Sequence, residues 1–125
     1  MNIIKPTFLI NKNICLKNLR KMKKKADDNN LIFRPHFKTH QSFEIGELFK
    51  KVGINKISVS SLEMAEFFMN NGWKDITIAF PINILEIDTI NKIAAKINLN
   101  LLITEKSSLQ YLRFALSNLL IINTL

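Results

Sequence analysis

Apolar residues along this chain follow two alternating patterns, short continuous runs and stripes with helical spacing. The runs consist mostly of Ile, Leu, Val and Phe, and runs of about four to eight such residues favour β-strands. They predict strands at residues 31–38, 56–60, 76–80, 100–103 and 119–122.

The stripes between these runs predict amphipathic helices, because residues three and four apart lie on the same helical face. Ser-Ser-Leu-Glu at residues 60–63 and Ser-Ser-Leu-Gln at residues 107–110 resemble capping boxes and predict helix starts. The stripes comprise Ile45, Leu48, Phe49 and Val52, then Ile90, Ile93, Ala94 and Ile97, and more weakly Leu109, Leu112 and Leu116.

Residues 53–60 and 72–79 match in pattern at every position, 19 residues apart. Each copy opens on a glycine, Gly53 or Gly72, directly after a predicted helix. A glycine there can adopt the left-handed conformation that ends a helix without a steric penalty. An apolar residue, a polar pair and a β-branched run follow, which predicts the junction between a helix and the next strand of a repeating unit.

A different element precedes these units. Residues 7–10 predict a short strand, and Cys15, Leu19, Met22 and Ala26 predict a helix with Asn13 as its cap. Strands that alternate with helices of this length form parallel sheets. The predicted fold is α/β, a partial (β/α)8 TIM-type barrel with about the first five strands. Because a complete barrel needs about 250 residues, residues 1–125 are predicted to form one incomplete barrel domain.

The composition is that of a folded protein without a membrane span. Hydrophobic residues make up 47% of the chain and charged residues 22%, whereas disordered chains combine low hydrophobicity with high charge. No apolar run approaches the roughly 18 residues of a membrane helix, and the N-terminus lacks the apolar core of a signal peptide. The single cysteine, Cys15, cannot form an internal disulfide. We therefore expect a cytoplasmic location.

The formal net charge of +8 raises the question of nucleic acid binding. The densest basic run, at residues 21–25, lies on a predicted amphipathic helix, where such a run is usually a solvated face. Aromatic residues are not interleaved with the basic ones, as a single-strand binder requires. We therefore expect no nucleic acid partner.

Residues 34–40 contain the densest group of candidate functional side chains. Because side chains alternate along a strand, Arg34, His36, Lys38 and His40 are predicted to share one face. In a barrel that face points inward, and the carboxyl end of the strand opens onto the active site. The pattern therefore predicts Lys38 at the barrel mouth, without an easy route to solvent.

Each of these residues also has an ordinary structural interpretation. Arg34 fits an ion pair with an anion better than a catalytic role, and His36 and His40 could be satisfied by hydrogen bonds to neighbouring strands. Lys38 is the strongest candidate for chemistry, since a buried cation without a partner is costly. Two histidines alone do not form a zinc site, and no metal site is predicted.

The sequence of residues 34–40, R-P-H-F-K-T-H, resembles the R-P-H-x-K-T-H motif of the D-threonine aldolase and D-serine dehydratase family. Residues 57–66 resemble that family's second strand and following helix, and residues 72–81 resemble its G-x-x-D-I-x-x-A-Y/F-P third strand. The opening at residues 5–11 is similar to T-P-x-x-L-I-D, with Lys5 in place of Thr and Asn11 in place of Asp. The resemblance covers most of residues 5–112.

The resemblance implies a pyridoxal-phosphate enzyme built on an alanine-racemase-type N-terminal barrel. In that family the motif lysine carries the cofactor as a Schiff base, which makes Lys38 the implied catalytic and cofactor-binding residue. Arg34, His36 and His40 are implied to surround the cofactor. The implied substrate is a D-amino acid, and dehydration, retro-aldol cleavage and racemisation all stay open. The divalent metal that many members use is implied to bind outside this chain.

Departures from the family pattern leave the activity of this chain open. Gln41 stands where Lys is frequent, and residues 119–125 lack the Asp and Gly of an I-D-T-G-like segment. The phosphate-binding loops after the seventh and eighth strands lie beyond this chain. We expect an N-terminal part of a D-amino-acid lyase that is inactive in isolation. The alternatives are a non-catalytic pyridoxal-phosphate-binding protein and a subunit that completes its barrel with a partner chain or as a homodimer.

Overall fold

The computed structural model describes residues 4–7 and 9–115 of the chain. Among these residues, a long first helix is followed by four shorter α-helices that alternate with three β-strands, and 3-10 turns at Phe37–Thr39 and Ile84–Glu86 precede the second and fourth helices. In chain order the elements are α1 (Lys12–Asp28), α2 (Phe43–Lys50), β1 (Ile57–Val59), α3 (Leu62–Asn70), β2 (Asp75–Pro81), α4 (Ile87–Ala94), β3 (Asn98–Leu102) and α5 (Lys106–Ala115).

The three strands form a parallel sheet in the order β1-β2-β3. An isolated parallel bridge between His36 and Ser58 adds a fourth position beside β1. Neighbouring strands are consecutive in sequence and joined by helices, which is the connectivity of a β/α barrel. The predicted α/β class is confirmed, and the arrangement fits part of a barrel.

The two faces of the sheet differ sharply in polarity. The face that packs on the helices is apolar and buried, and it includes Ile57, Val59, Ile76 and Ile78. The opposite face carries Ser58, Thr77 and Asn100, which occupy paired positions on the three strands and are partly exposed. The apolar core therefore lies between sheet and helices, and the polar face is left for the interior of the barrel.

The sequence repeat corresponds to a structural repeat. Gly53 and Gly72 both have positive φ, 79° and 85°, and each donates its N–H to the carbonyl three residues earlier. The following residues, Ile54 and Trp73, donate to the carbonyls of Phe49 and Phe68. Strand β1 then pairs with β2 at the same offset of 19 residues, as in Ile57 opposite Ile76. The prediction of a helix-to-strand junction is confirmed in both copies.

Replacing Gly72 with alanine should destabilise the fold by about 1 kcal/mol, because a Cβ atom is unfavourable at positive φ. The matched variant Gly53→Ala should lose a similar amount, since no atom lies within 4 Å of the added methyl group and only the backbone conformation opposes it. Urea unfolding of both variants measures the effect. Unchanged midpoints would contradict the assignment of these glycines as left-handed helix ends.

The strand predicted at residues 31–38 is wrong. His36 forms one bridge, residues 31–35 lie outside any strand, and the chain then enters the 3-10 turn. Pro35 has no N–H to offer a sheet, although its carbonyl accepts a hydrogen bond from Ser58 N–H at 2.9 Å. The imidazole of His36 then caps the 3-10 turn, which ends the extended backbone.

Two further predicted strands lie near the chain ends. Residues 7, 9 and 10 lie outside any strand, so the strand predicted at residues 7–10 is not formed by the residues described there. Leu9 and Ile10 are exposed, so their apolar side chains do not belong to a buried strand. The strand predicted at residues 119–122 lies outside the described residues.

Helix starts differ from the predicted ones by one or two residues. The cap of α1 is Asn11 rather than Asn13, and its side chain accepts hydrogen bonds from the N–H groups of Asn13 and Ile14. The cap of α3 is Ser61, which bonds Met64 N–H at 3.2 Å. In each case the capping residue is the one whose extended backbone aims its oxygen at the first free N–H groups.

The basic run at residues 21–25 lies on α1. Lys23 and Lys24 form ion pairs with Asp27 and Asp28 one helical turn later, at 2.6 and 2.7 Å. These pairs are largely exposed, as expected for a solvated helix face. Across residues 4–7 and 9–115, no helix is both long enough and apolar enough to traverse a bilayer.

Candidate active site

His36 connects the 3-10 turn to the carboxyl end of β1. Its Nδ1 accepts a hydrogen bond from the backbone N–H of Lys38 at 3.2 Å, and its Nε2 lies 3.5 Å from the hydroxyl of Ser60. Because Nδ1 is an acceptor, the ring proton belongs on Nε2, facing Ser60. Burial, and then the positive charge of Lys38, lower the pKa of His36, so the ring is neutral at pH 7.

Lys38 lies in the centre of the 3-10 turn and is exposed. Within residues 4–7 and 9–115, no hydrogen bond or ion pair engages its ammonium group. Its carbonyl accepts a hydrogen bond from Gln41 Nε2 at 3.3 Å. The expectation that Lys38 has no route to solvent is wrong for this sheet, because the three strands cover only one side of the turn.

The strand pattern predicted that His40 shares a face with His36 and Lys38, and this prediction is wrong. The 3-10 turn rotates the chain, so the His40 ring packs against Phe37 at 4.4 Å and Phe49 at 5.7 Å between ring centroids. Its Nδ1 accepts the N–H of Ser42 at 3.1 Å, and its Nε2 is buried without a hydrogen-bond partner among the described residues. Burial lowers the pKa of His40. The geometry makes His40 part of the packed aromatic cluster, and its implied contact with a cofactor stays a prediction.

Arg34 lies at the opposite end of the sheet from Lys38. Its guanidinium forms an ion pair with Asp75 at 2.6 Å and also reaches the carbonyl of Ile57, so it contacts the first residues of β2 and β1. Lys56 binds the other carboxylate oxygen of Asp75 at 2.6 Å, and Asn100 donates to the same carboxylate at 3.3 Å. The ion-pair interpretation of Arg34 is confirmed, whereas its implied contact with a cofactor stays a prediction.

Asp75 is the anion at the centre of this second cluster. Burial would raise its pKa, but the hydrogen bonds and positive charges of Arg34 and Lys56 outweigh burial, and the pKa of Asp75 lies below its ordinary value. The sequence analysis did not single out Asp75. Its position two residues before Thr77, on the polar face of β2, was the available signal.

Two concave spaces adjoin the carboxyl ends of the strands. One, of about 300 Å³, is lined by Ser60, Phe80, Asn83 and neighbouring apolar residues. The other, of about 240 Å³, is lined by Gln41, Ser61, Glu63, Met64 and Phe67. Ser60 also contacts His36, and Gln41 contacts Lys38, so each space has one lining residue that touches the segment at residues 36–38.

Ser60 and Gln41 escaped the sequence analysis as site residues. Ser60 follows β1 directly, and residues at the carboxyl ends of parallel strands form the usual site of α/β folds. The sequence analysis noted Gln41 only as a departure from the family pattern, and in the structure Gln41 adopts a left-handed conformation with φ of 44°. An exposed amine, a neutral imidazole and a hydroxyl together suit condensation with a carbonyl group and proton transfer beside it.

In residues 4–7 and 9–115 there is no cluster of three or more His, Cys, Asp or Glu side chains that could hold a metal ion.

Comparison with known proteins identifies relatives by structure alone. No protein-family model and no curated protein sequence matches the chain. Among solved structures, D-threo-3-hydroxyaspartate dehydratase from Delftia sp. HT23 superimposes with a TM-score of 0.76 and 24% identity, over 82% of this chain and 27% of that protein. D-threonine aldolase from Filomicrobium marinum gives 0.81 and 18%, over 88% and 30%. An alanine-racemase-like protein from Idiomarina loihiensis gives 0.67 and 21%, over 81% and 28%.

These similarities agree with the relationship indicated by residues 34–40. The chain spans less than a third of the length of each of these proteins. At these identities the likeness concerns the fold, and the recognition made from the motif is confirmed at that level. The chain therefore has the α/β fold of one part of these alanine-racemase-like barrel proteins.

Proposed function

We propose that this chain supplies the first part of the barrel of a pyridoxal-phosphate-dependent D-amino-acid lyase, in which Lys38 holds the cofactor. One observation carries the proposal: the Lys38 amine is exposed and unpaired among the described residues, at the carboxyl end of the sheet. The amine that captures an aldehyde must have a free lone pair and an open approach. Other lysines of the chain, such as Lys50, Lys56 and Lys92, are occupied by ion pairs.

The surroundings of Lys38 fit a polar aromatic aldehyde. His36 and Ser60 place a neutral ring and a hydroxyl at the turn that carries Lys38. A space of about 300 Å³ shares Ser60 with this turn and has apolar walls beside polar groups, although Lys38 itself does not line it. The names of two similar proteins, a D-threonine aldolase and a D-threo-3-hydroxyaspartate dehydratase, favour a D-amino acid with a β-hydroxyl group as the substrate.

When bound, pyridoxal phosphate supplies an electron sink for bonds broken at the substrate Cα atom. The side chains described here would perform the supporting steps. Lys38 would anchor the cofactor and, once released by the substrate, move a proton at Cα. The neutral His36 ring would keep its hydrogen bond from the backbone N–H of Lys38. Aldol cleavage, dehydration and racemisation differ in which bond at Cα or Cβ breaks.

Reductive trapping tests the proposal. The chain is incubated with pyridoxal phosphate, reduced with borohydride and digested, and mass spectrometry locates the pyridoxyl group. We expect Lys38 to be labelled in preference to the other lysines, and Lys38→Ala to lose the main label. Lys51→Ala is the matched control, because Lys51 is also exposed. Uniform labelling of surface lysines would refute the assignment.

Substrate turnover by this chain alone is expected to be undetectable. The sheet of three strands leaves the polar face and the Lys38 turn open to water, and the chain spans under a third of the similar enzymes. Release of pyruvate from D-serine or glycine from D-threonine would contradict this part of the proposal.

A barrel completed by another chain is the second candidate. The partly exposed Ser58, Thr77 and Asn100 on the inner face favour it, because a barrel would enclose them. Under this alternative, activity appears only when the remaining strands are supplied as a separate polypeptide. A chain that binds the cofactor without catalysis would instead stay labelled at Lys38 and inactive in that mixture.

A further inference from the structure

The two peptide groups that flank the Lys38 Cα atom are both held by side chains. The N–H of Lys38 donates to His36 Nδ1 at 3.2 Å, and the carbonyl of Lys38 accepts from Gln41 Nε2 at 3.3 Å. Fixing both peptide planes fixes φ and ψ of Lys38, and with them the direction of the Cα–Cβ bond. We propose that His36 and Gln41 are positioning residues that aim the Lys38 amine at its aldehyde partner. This inference rests on the proposed function of Lys38.

His36 is itself anchored to the sheet. Its backbone forms the parallel bridge to Ser58, and its Nε2 approaches the hydroxyl of Ser60 at 3.5 Å. His36 therefore links the Lys38 peptide group to β1. Without such a link, an exposed lysine in a one-turn helix would sample many directions and lose preorganisation.

Gln41 reaches the Lys38 carbonyl because of an unusual backbone conformation. Its φ of 44° lies in the left-handed region, which is unfavourable for a non-glycine residue. The Gln41 N–H also bonds the carbonyl of Phe37 at 3.1 Å, which closes the turn. Gln41→Gly would relieve the backbone strain and remove the side-chain amide. Its effect on stability can therefore be told apart from its effect on the position of Lys38.

The ratio of pyridoxyl label on Lys38 to label on Lys51, measured in one digest, tests the inference. His36→Ala should lower this ratio about fivefold, the effect of one lost neutral hydrogen bond. His36→Asn should restore much of the ratio, because the Asn Oδ1 atom can accept the same N–H two residues on. Gln41→Gly should lower the ratio while leaving the unfolding midpoint equal or higher.

Amide hydrogen exchange at Lys38 provides a readout independent of the cofactor. Protection of this N–H should fall in His36→Ala and return in His36→Asn. If His36→Ala fails to fold, Gln41→Gly still tests the carbonyl half of the arrangement. Lys38 labelled equally in all folded variants would overturn this inference and leave the proposed function standing, whereas an unlabelled Lys38 in the unsubstituted chain would overturn the proposed function itself.

Discussion

Replacing Phe37 with alanine is expected to destabilise the fold by about 3–5 kcal/mol, the usual cost of deleting a buried aromatic ring. Phe37 is fully buried, and its ring contacts four others at centroid distances of 4.4 to 5.0 Å. Small domains are stable by only about 5–15 kcal/mol. The variant should therefore unfold at a much lower urea concentration or lose its cooperative transition. The four neighbouring rings belong to His40, Phe49, Phe68 and Trp73.

The same substitution should also abolish selective labelling of Lys38. Phe37 is the neighbour of Lys38 in the 3-10 turn, and its side chain is the anchor that holds the turn on the core. Phe114→Ala is the matched control, because that ring is 98% exposed and its loss should change the free energy of unfolding by less than about 0.5 kcal/mol. Equal effects of the two substitutions would contradict the packing described for Phe37.

Replacing Asp75 with asparagine is expected to cost about 2–4 kcal/mol. The carboxylate is the shared anion of Arg34 and Lys56, and its side chain is only 13% exposed. Removing one member of a buried ion pair typically costs about 3–5 kcal/mol, because the remaining charge stays desolvated without a partner. Lys56 is 35% exposed and can turn to water, which reduces the expected cost.

The stability contributed by Asp75 should depend on pH in one direction. Because the folded protein holds the pKa of Asp75 below its ordinary value, the unfolded chain binds its proton first as pH falls. The contribution is complete above about pH 4, the ordinary value, and is lost as pH falls through the folded pKa. Urea titrations at neutral and acidic pH should show the wild-type chain and Asp75→Asn converging in stability at low pH.

Asp28→Asn is the matched control for this prediction. Asp28 also accepts an ion pair, from Lys24, but both side chains are more than half exposed, and such pairs contribute about 0–1 kcal/mol. We expect a small change in the free energy of unfolding. A loss at Asp75 no larger than the loss at Asp28 would show that the cluster at the amino end of the strands does not hold the sheet together.

The strand–helix repeat could be predicted from the sequence because its signals are local. Gly53 and Gly72 end helices through a backbone conformation that glycine alone adopts readily. The β-branched runs that follow them became β1 and β2, and the 19-residue offset became their pairing register. The α/β class followed from the same repetition.

The motif at residues 34–40 could be located from the sequence, but the arrangement of its side chains could not be predicted. The two-residue alternation of a strand does not apply there, because residues 37–39 form a 3-10 turn. This turn places His40 among aromatic rings and leaves Lys38 exposed. The turn depends on the His36 ring binding the Lys38 N–H and on Phe37 filling a space between helices. Neither contact has a signature in the spacing of residues.

Local rules therefore account for the helix ends at Gly53 and Gly72, for the apolar runs that form β1, β2 and β3, and for the choice of Lys38 as the candidate for chemistry. They fail for the run at residues 31–38, which was wrongly predicted to be a strand. Contacts between residues far apart in sequence account for the rest: Asp75 joins Arg34 to Lys56 at one end of the strands, and Ser60 meets His36 at the other. These partners lie close together only in the folded chain, where buried charges and polar groups are costly without a partner. For this reason the candidate site could be proposed from the sequence, while its geometry required the packed sheet and helices.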